Sequence, residues 1–172
     1  MYSKAPPKSE AKTFRTFEDL EVYRMARGFR KAMYAVTRKL PAHEKFELAS
    51  QVRRAAVSLT NNIAEGHGRY HFLEQIRFTL QARGSLQELI DDLNVCEDEN
   101  YLLSNEIADL KQQASQVHQL VNGYIRYLRE RKTGESSALH ESSSAYGMTD
   151  DELDDILAEP IQPFNNSTIQ RT

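Results

Sequence analysis

The 172-residue chain is most simply one domain with tails, long enough to bury a core without covalent staples. Its composition, 40% hydrophobic and 27% charged with no Trp, seven Gly and five Pro, suits a helical soluble protein and argues against a sandwich or barrel of strands. The net charge of −3 hides an asymmetry: residues 133–172 hold eight acids against one base (−7), leaving residues 1–132 at +4, 21 bases against 17 acids.

The single cysteine, Cys96, excludes an internal disulfide framework and a cysteine-built zinc site. No basic-then-apolar leader opens the chain, and no apolar run approaches the roughly 18 residues needed to span a membrane. A reducing cytoplasm is the expected compartment.

Residues 1–15 are polar, contain Pro6-Pro7 and read as a flexible arm. Thr16 is placed to cap the first helix, with Asp19 near its positive end. Val22, Ala26, Phe29, Met33, Val36 and Leu40 then recur at alternating spacings of four and three, one apolar helix stripe that Pro41 is expected to stop. The second stripe is Leu48, Val52, Ala56, Leu59 and Ile63, halted by Gly66 and Gly68, with Gly66 where a left-handed cap is expected. The third pattern runs from about Phe72 to Glu99 through Ile76, Leu80, Leu86, Leu89, Leu93 and Cys96. Gly84, in its middle, suggests close backbone packing.

Ser104 is a plausible cap for the fourth helix, whose Ile107, Leu110, Ala114, Val117, Val121, Tyr124 and Leu128 hold a strict three–four alternation. Short connections imply antiparallel neighbours. The expected fold is therefore all-α, an antiparallel up-down four-helix bundle over residues 16–132. A Ser-rich linker (133–148) and an acidic tail (149–172) follow. In the tail, Thr149 and Glu152 fit a capping box for a short amphipathic helix at about 150–158. Its apolar face, Leu153, Ile156 and Leu157, is suited to docking on a partner or on the bundle itself. A disordered solubilising tail is the alternative.

Catalytic signatures are missing. "EGHGR" lacks the spacing and the strand of a phosphate-cradling loop, and "HEKFE" carries Glu47 where a zinc-protease motif needs His. Glu88, Asp91 and Asp92 have no Glu-x-x-His partner for a di-metal site. His118, beside the seam of the fourth helix, reads as a flank residue rather than a ligand. No nucleophile is paired with a base. A non-enzymatic protein is expected, with no cofactor, metal or small-molecule substrate.

Charge geometry is more informative. On a helical wheel with Val22 at zero, Arg24, Arg27, Lys31 and Arg38 fall at about 200°, 140°, 180° and 160°, opposite the apolar stripe. Residues 22–43 contain six bases, with Arg30 and Lys39, and no acid. The row is about 21 Å long. Such a row can track a phosphate backbone, and Tyr34 beside it offers a ring for stacking. Two other readings stay open: an ordinary solvated face, or a surface neutralised by the acids of Glu88–Glu99 in another subunit or by the tail. In the second helix, Arg54, Ser58, Asn61 and Glu65 form a polar stripe, while Arg53, Val57, Thr60 and Ala64 form a third, mostly small face. The wheel separates Arg53 from Arg54 and puts Asn62 at the core's edge, so these polar groups are not expected to form one catalytic cluster. A small face beside a hydrogen-bonding stripe points to a subunit contact through Arg53, Arg54, Ser58, Asn61, Glu65 and Gly84.

"FEDLEVYRMA", "LPAHEKFELASQVRRAAVSLTNNIAEGHGR" and "ARGSLQELIDDLNVCE" together resemble a bacterial four-helix-bundle family. Its members include proteins encoded in intervening sequences of large-subunit ribosomal RNA genes, and the accessory variability determinant of diversity-generating retroelements is a relative. The resemblance covers roughly residues 17–130 and places Arg53, Arg54, Asn62, Glu65, Gly66, Gly84, Ser85 and Glu88 on signature positions. It implies a barrel-like homopentamer. For the retroelement branch it also implies binding of RNA or DNA and of a reverse transcriptase, without catalysis. The acidic tail is an extension of the family pattern. The reading is thus a homo-oligomeric accessory protein that binds nucleic acid through its first helix; the rival is a protein–protein scaffold recruiting through the tail.

Overall fold

The computed structural model describes residues 16–135, with side chains through Lys132. Helices α1 (Glu21–Thr37), α2 (Leu48–His67), α3 (Phe72–Asp98) and α4 (Ser104–Glu135) are joined by short connections, and no strand occurs among the described residues. The expected arm 1–15 and the acidic tail with Leu153, Ile156 and Leu157 lie outside the described residues. Helix α4 runs three residues past the expected bundle end at Lys132.

Thr16 caps a 3-10 turn, Phe17–Asp19, rather than α1 itself. Glu18 N–H donates to Thr16 Oγ1 and Thr16 N–H donates to Asp19 Oδ2, both at 3.2 Å. Leu20 is then extended, and α1 begins at Glu21. The predicted stripe is buried at Val22, Ala26, Phe29, Met33 and Val36, with Tyr23 added. The helix ends at Thr37, before Pro41 can act, so Leu40 lies beyond it and is only half-buried. Pro41 instead precedes a second 3-10 turn, Ala42–Lys45.

All five apolar positions of α2 are buried. Its glycines work differently from the expected left-handed cap. Gly66 is inside the helix, and Gly68 closes it in a right-handed conformation (φ −77°, ψ −8°). Gly66 is required by space: a Cβ there would lie 3.0 Å from Phe78 Cβ and 3.2 Å from Gln75 O of α3. Gly84 is the converse. A Cβ there meets nothing within 4 Å, so the close packing expected of it is not made within the protomer.

Helix α3 ends in a Schellman motif. Asn100 is left-handed (φ 57°), its N–H donates to Glu97 O, and Tyr101 N–H reaches back to Cys96 O at 2.9 Å. In α4 the first helical residue is Ser104 rather than its cap, since Ile107 N–H donates to Leu103 O. The buried face follows Ile107, Leu110, Ala114, Val117 and Val121, then moves to Ile125 and Leu128. Tyr124 is left half-buried, because a straight helix drifts from a strict heptad. His118 and Asn122 are also inside, so His118 is not the flank residue expected.

Helix α1 packs on α2 and α4, and α3 packs on the same two. The four helices therefore form a bundle with α1 and α3 on one diagonal, around a core that includes Phe29, Met33, Leu59, Leu89 and Ile125. The two glycines give a direct check by urea unfolding. Gly84→Ala is expected to stabilise by about 0.5–1 kcal/mol through helix propensity. Gly66→Ala should destabilise by about 1–3 kcal/mol through overpacking against backbone. Equal effects at the two positions would contradict this packing.

Candidate functional site

The predicted basic row is exposed. Arg24, Arg27, Lys31 and Arg38 all face solvent, opposite the buried stripe of α1. Arg24 Nη2 donates to Asp19 O at 3.1 Å. Arg27, Lys31 and Arg38 have no hydrogen-bond or ion-pair partner among the described residues. The two other bases of this segment are used internally: Arg30 Nη1 donates to Thr60 Oγ1 on α2 at 2.8 Å, and Lys39 pairs with Glu106 on α4. The acids of α3 sit diagonally across the bundle from α1 and do not neutralise the row of their own protomer. One of them, Glu97, accepts from Lys111 on α4 at 2.7 Å.

Tyr34 is half-buried at the edge of α1 that faces α2. With Arg53, Arg54, Val57, Ser58, Asn61 and Asn62 it lines a recess of about 570 Å³. This corrects the wheel, which sets Arg53 apart from Arg54 and Asn61. A projection counts Cβ directions, whereas both arginine side chains are long enough to border one hollow. Each arginine is held at one end: Arg53 Nη2 on Lys45 O at 3.1 Å, Arg54 Nη1 on Ser50 Oγ at 3.2 Å. Asn62 Nδ2 donates to Ser58 O and Oγ at 3.0 and 3.1 Å, and Ser85 Oγ donates to Ser58 Oγ at 2.8 Å from α3. The exposed Asn61 amide has no partner among the described residues. Glu65, one turn on, pairs with Arg69.

A second hollow, about 470 Å³, lies on the other flank of α2 and is lined by Gln51, Arg54, Ala55, Ser58, Glu88, Asp91 and Asp92. Asp92 is 8% exposed and its Oδ2 has no hydrogen-bond partner. Burial first, then the charges of Glu88 and Asp91, push its carboxyl up to about 6. Inside the bundle, Asn122 Nδ2 lies 3.3 Å from His118 Nδ1, and burial together with Arg83 holds the imidazole below its usual range.

At the end of the bundle where the α1–α2 and α3–α4 connections meet, Glu44 is the organising group. Its Oε2 accepts from Leu48 N–H at 3.1 Å, in place of an N-cap side chain, and its Oε1 accepts from Tyr101 O–H at 2.9 Å. The bond from Leu48, then that from Tyr101, lowers its pKa, and the same pairing raises that of Tyr101. The sequence offered little sign of this corner beyond Asn100, an ordinary left-handed cap residue. Among the described residues, no group of three His, Cys, Asp or Glu side chains is placed to hold a metal ion. Nor is any helix there long and apolar enough to cross a membrane.

The family model for 23S rRNA-intervening sequence proteins matches residues 18–123, from the first 3-10 turn through most of α4. The chain belongs to that family. The match takes in both hollows and the basic row, and it stops short of the tail. No curated protein matches the chain.

The buried carboxyl yields a pH prediction. A carboxyl that binds its proton more tightly when folded stabilises the fold fully below its unfolded pKa of about 4, and this is lost as pH rises through about 6. Asp92→Asn is therefore expected to raise unfolding stability at pH 7.5 by about 1–3 kcal/mol and to flatten its fall between pH 4 and 6. Chemical unfolding across that range tests it; a variant no more stable at pH 7.5 refutes it.

Proposed function

We propose that the protein is a non-enzymatic, homo-oligomeric cytoplasmic accessory protein that binds nucleic acid through the exposed face of α1. The observation that carries this reading is the row Arg24, Arg27, Lys31 and Arg38: exposed, three of the four without a partner, and in a segment without acids. Phosphates are the ligand such a row suits, because each neutralised charge releases a condensed counterion. Membership of a family described by a ribosomal RNA intervening sequence is compatible with RNA as that ligand. The retroelement branch of the resemblance adds a reverse transcriptase as the protein partner.

An antiparallel up-down bundle is part of the same reading. Ser58 meets Ser85 while Gly66 meets Gln75 and Phe78, so partners descend along α3 as they ascend along α2. Lys39, after α1, pairs with Glu106, at the start of α4. Homo-oligomerisation, a pentamer by resemblance, is supported by the exposed Arg54 and Glu65 and by the open surroundings of Gly84.

Filter binding of structured RNA across a salt series tests the proposal. Four phosphate contacts predict a slope of about −3 to −4 in log K against log salt. Replacing all four residues with Ala should flatten that slope and abolish binding at moderate salt. No binding at low salt, or binding untouched by the substitutions, would sink the idea. The rival scaffold reading, carried by the −7 charge of residues 133–172, is separated by deleting them. Nucleic-acid affinity rises if the tail masks the row, whereas loss of protein capture at unchanged nucleic-acid affinity favours the scaffold.

A further inference from the structure

We propose that the recess between α1 and α2 is a nucleotide pocket that takes one unstacked base of a single strand. This deepens the nucleic-acid reading and rests on it. Three properties of the recess converge. It is a shallow hollow of about 570 Å³, open enough for a base to enter from solvent. Its lining residues include one tyrosine, two arginines and two asparagines, residue types able to stack on a base, hold a phosphate and bond a base edge. Its polar groups also have capacity to spare.

The Asn61 amide is unengaged, so it offers donor and acceptor together, and Asn62 keeps its Oδ1 while its Nδ2 is tied to Ser58. Arg53 and Arg54 each use one N–H on Lys45 O or Ser50 Oγ and keep the remaining donors of the guanidinium. Anchoring at one end restricts their rotamers before a ligand arrives, which lowers the entropy cost of binding.

The recess is also continuous with the row. Tyr34 stands between Lys31 and Arg38 on α1, so a strand whose phosphates follow those residues passes its mouth. Stacking on Tyr34 needs a base free of its neighbours, which a paired helix does not present and a single strand does. The hollow on the other flank of α2 is unsuited to the same ligand, because Glu88 and Asp91 repel phosphate.

The test uses the full chain and a short single-stranded RNA carrying one 2-aminopurine, compared with the same RNA in a duplex. Quenching of the 2-aminopurine at saturation is expected, with a preference for the single strand of about tenfold. Tyr34→Leu should abolish both, Tyr34→Phe should keep both, and Asn61→Ala, at an exposed position, should weaken single-strand affinity by about fivefold. Circular dichroism of each variant confirms that the bundle is intact. Absence of any binding at low salt removes the nucleic-acid reading and the pocket with it. Binding with quench and preference unchanged in Tyr34→Leu overturns the pocket alone. Asn61→Ala altering the oligomeric state by light scattering, with no quench in the unaltered protein, also overturns it and assigns the recess to a subunit contact.

Discussion

No side chain fits between α2 and α3 at Gly66, where the helices approach until a Cβ would touch the Gln75 backbone. This contact fixes the separation of the two helices, and much else follows from that separation. Two turns earlier along α2, Ser58 is brought within 2.8 Å of Ser85, a bond between two short side chains that a wider crossing would not permit. Ser58 in turn receives Asn62 and belongs to both hollows beside α2. One missing methyl group thus sets the distance at which this polar network and the hollow between α2 and α3 form.

The same closeness exacts a cost at Asp92, buried beside two other carboxylates with one oxygen unpartnered. An uncompensated buried charge is unfavourable, and its pKa rises accordingly. His118 and Asn122 are a milder case: a neutral imidazole beside an amide is easier to bury, and burial keeps it neutral. The bundle tolerates these groups because its apolar layers are continuous around them, from Phe29 and Met33 through Leu86 and Leu89 to Ile125 and Leu128.

The fold was largely legible because burial follows period. Val22, Ala26, Phe29, Met33 and Val36 are buried where their spacing puts them, and α2 keeps all five of its apolar positions. Errors arose where a residue acts through tertiary distance. Gly66 and Gly84 look alike in sequence, each a glycine near small residues, yet one is crowded by a neighbouring helix and the other by nothing in its protomer. The exchange of Tyr124 for Ile125 reflects accumulated helical drift, which short windows do not reveal. Of the candidate site, exposure of the row was legible from the wheel; the recess was not, since Arg53 and Arg54 converge only through side-chain length. Glu44 was missed because one of its partners, Tyr101, lies on the distant connection between α3 and α4.

The diagonal placement of α1 and α3 constrains what an assembly can do with these surfaces. The row of α1 and the acids of α3 cannot meet within one protomer, so pairing between them is necessarily between copies. Such pairing would consume the row and leave no cationic face for phosphate. Nucleic-acid binding through α1 therefore requires subunit contacts made elsewhere. The acidic flank of α2, with Gln51, Ala55, Glu88 and Asp91, and the open surface at Gly84 can serve that purpose without covering Arg27, Lys31 or Arg38. Arg54 and Ser58 border both flanks, so a neighbour that seats on the acidic side also bears on the wall of the recess that faces Tyr34. Under the proposed function, assembly and the capture of a base would be coupled through α2, the one helix that lines both hollows.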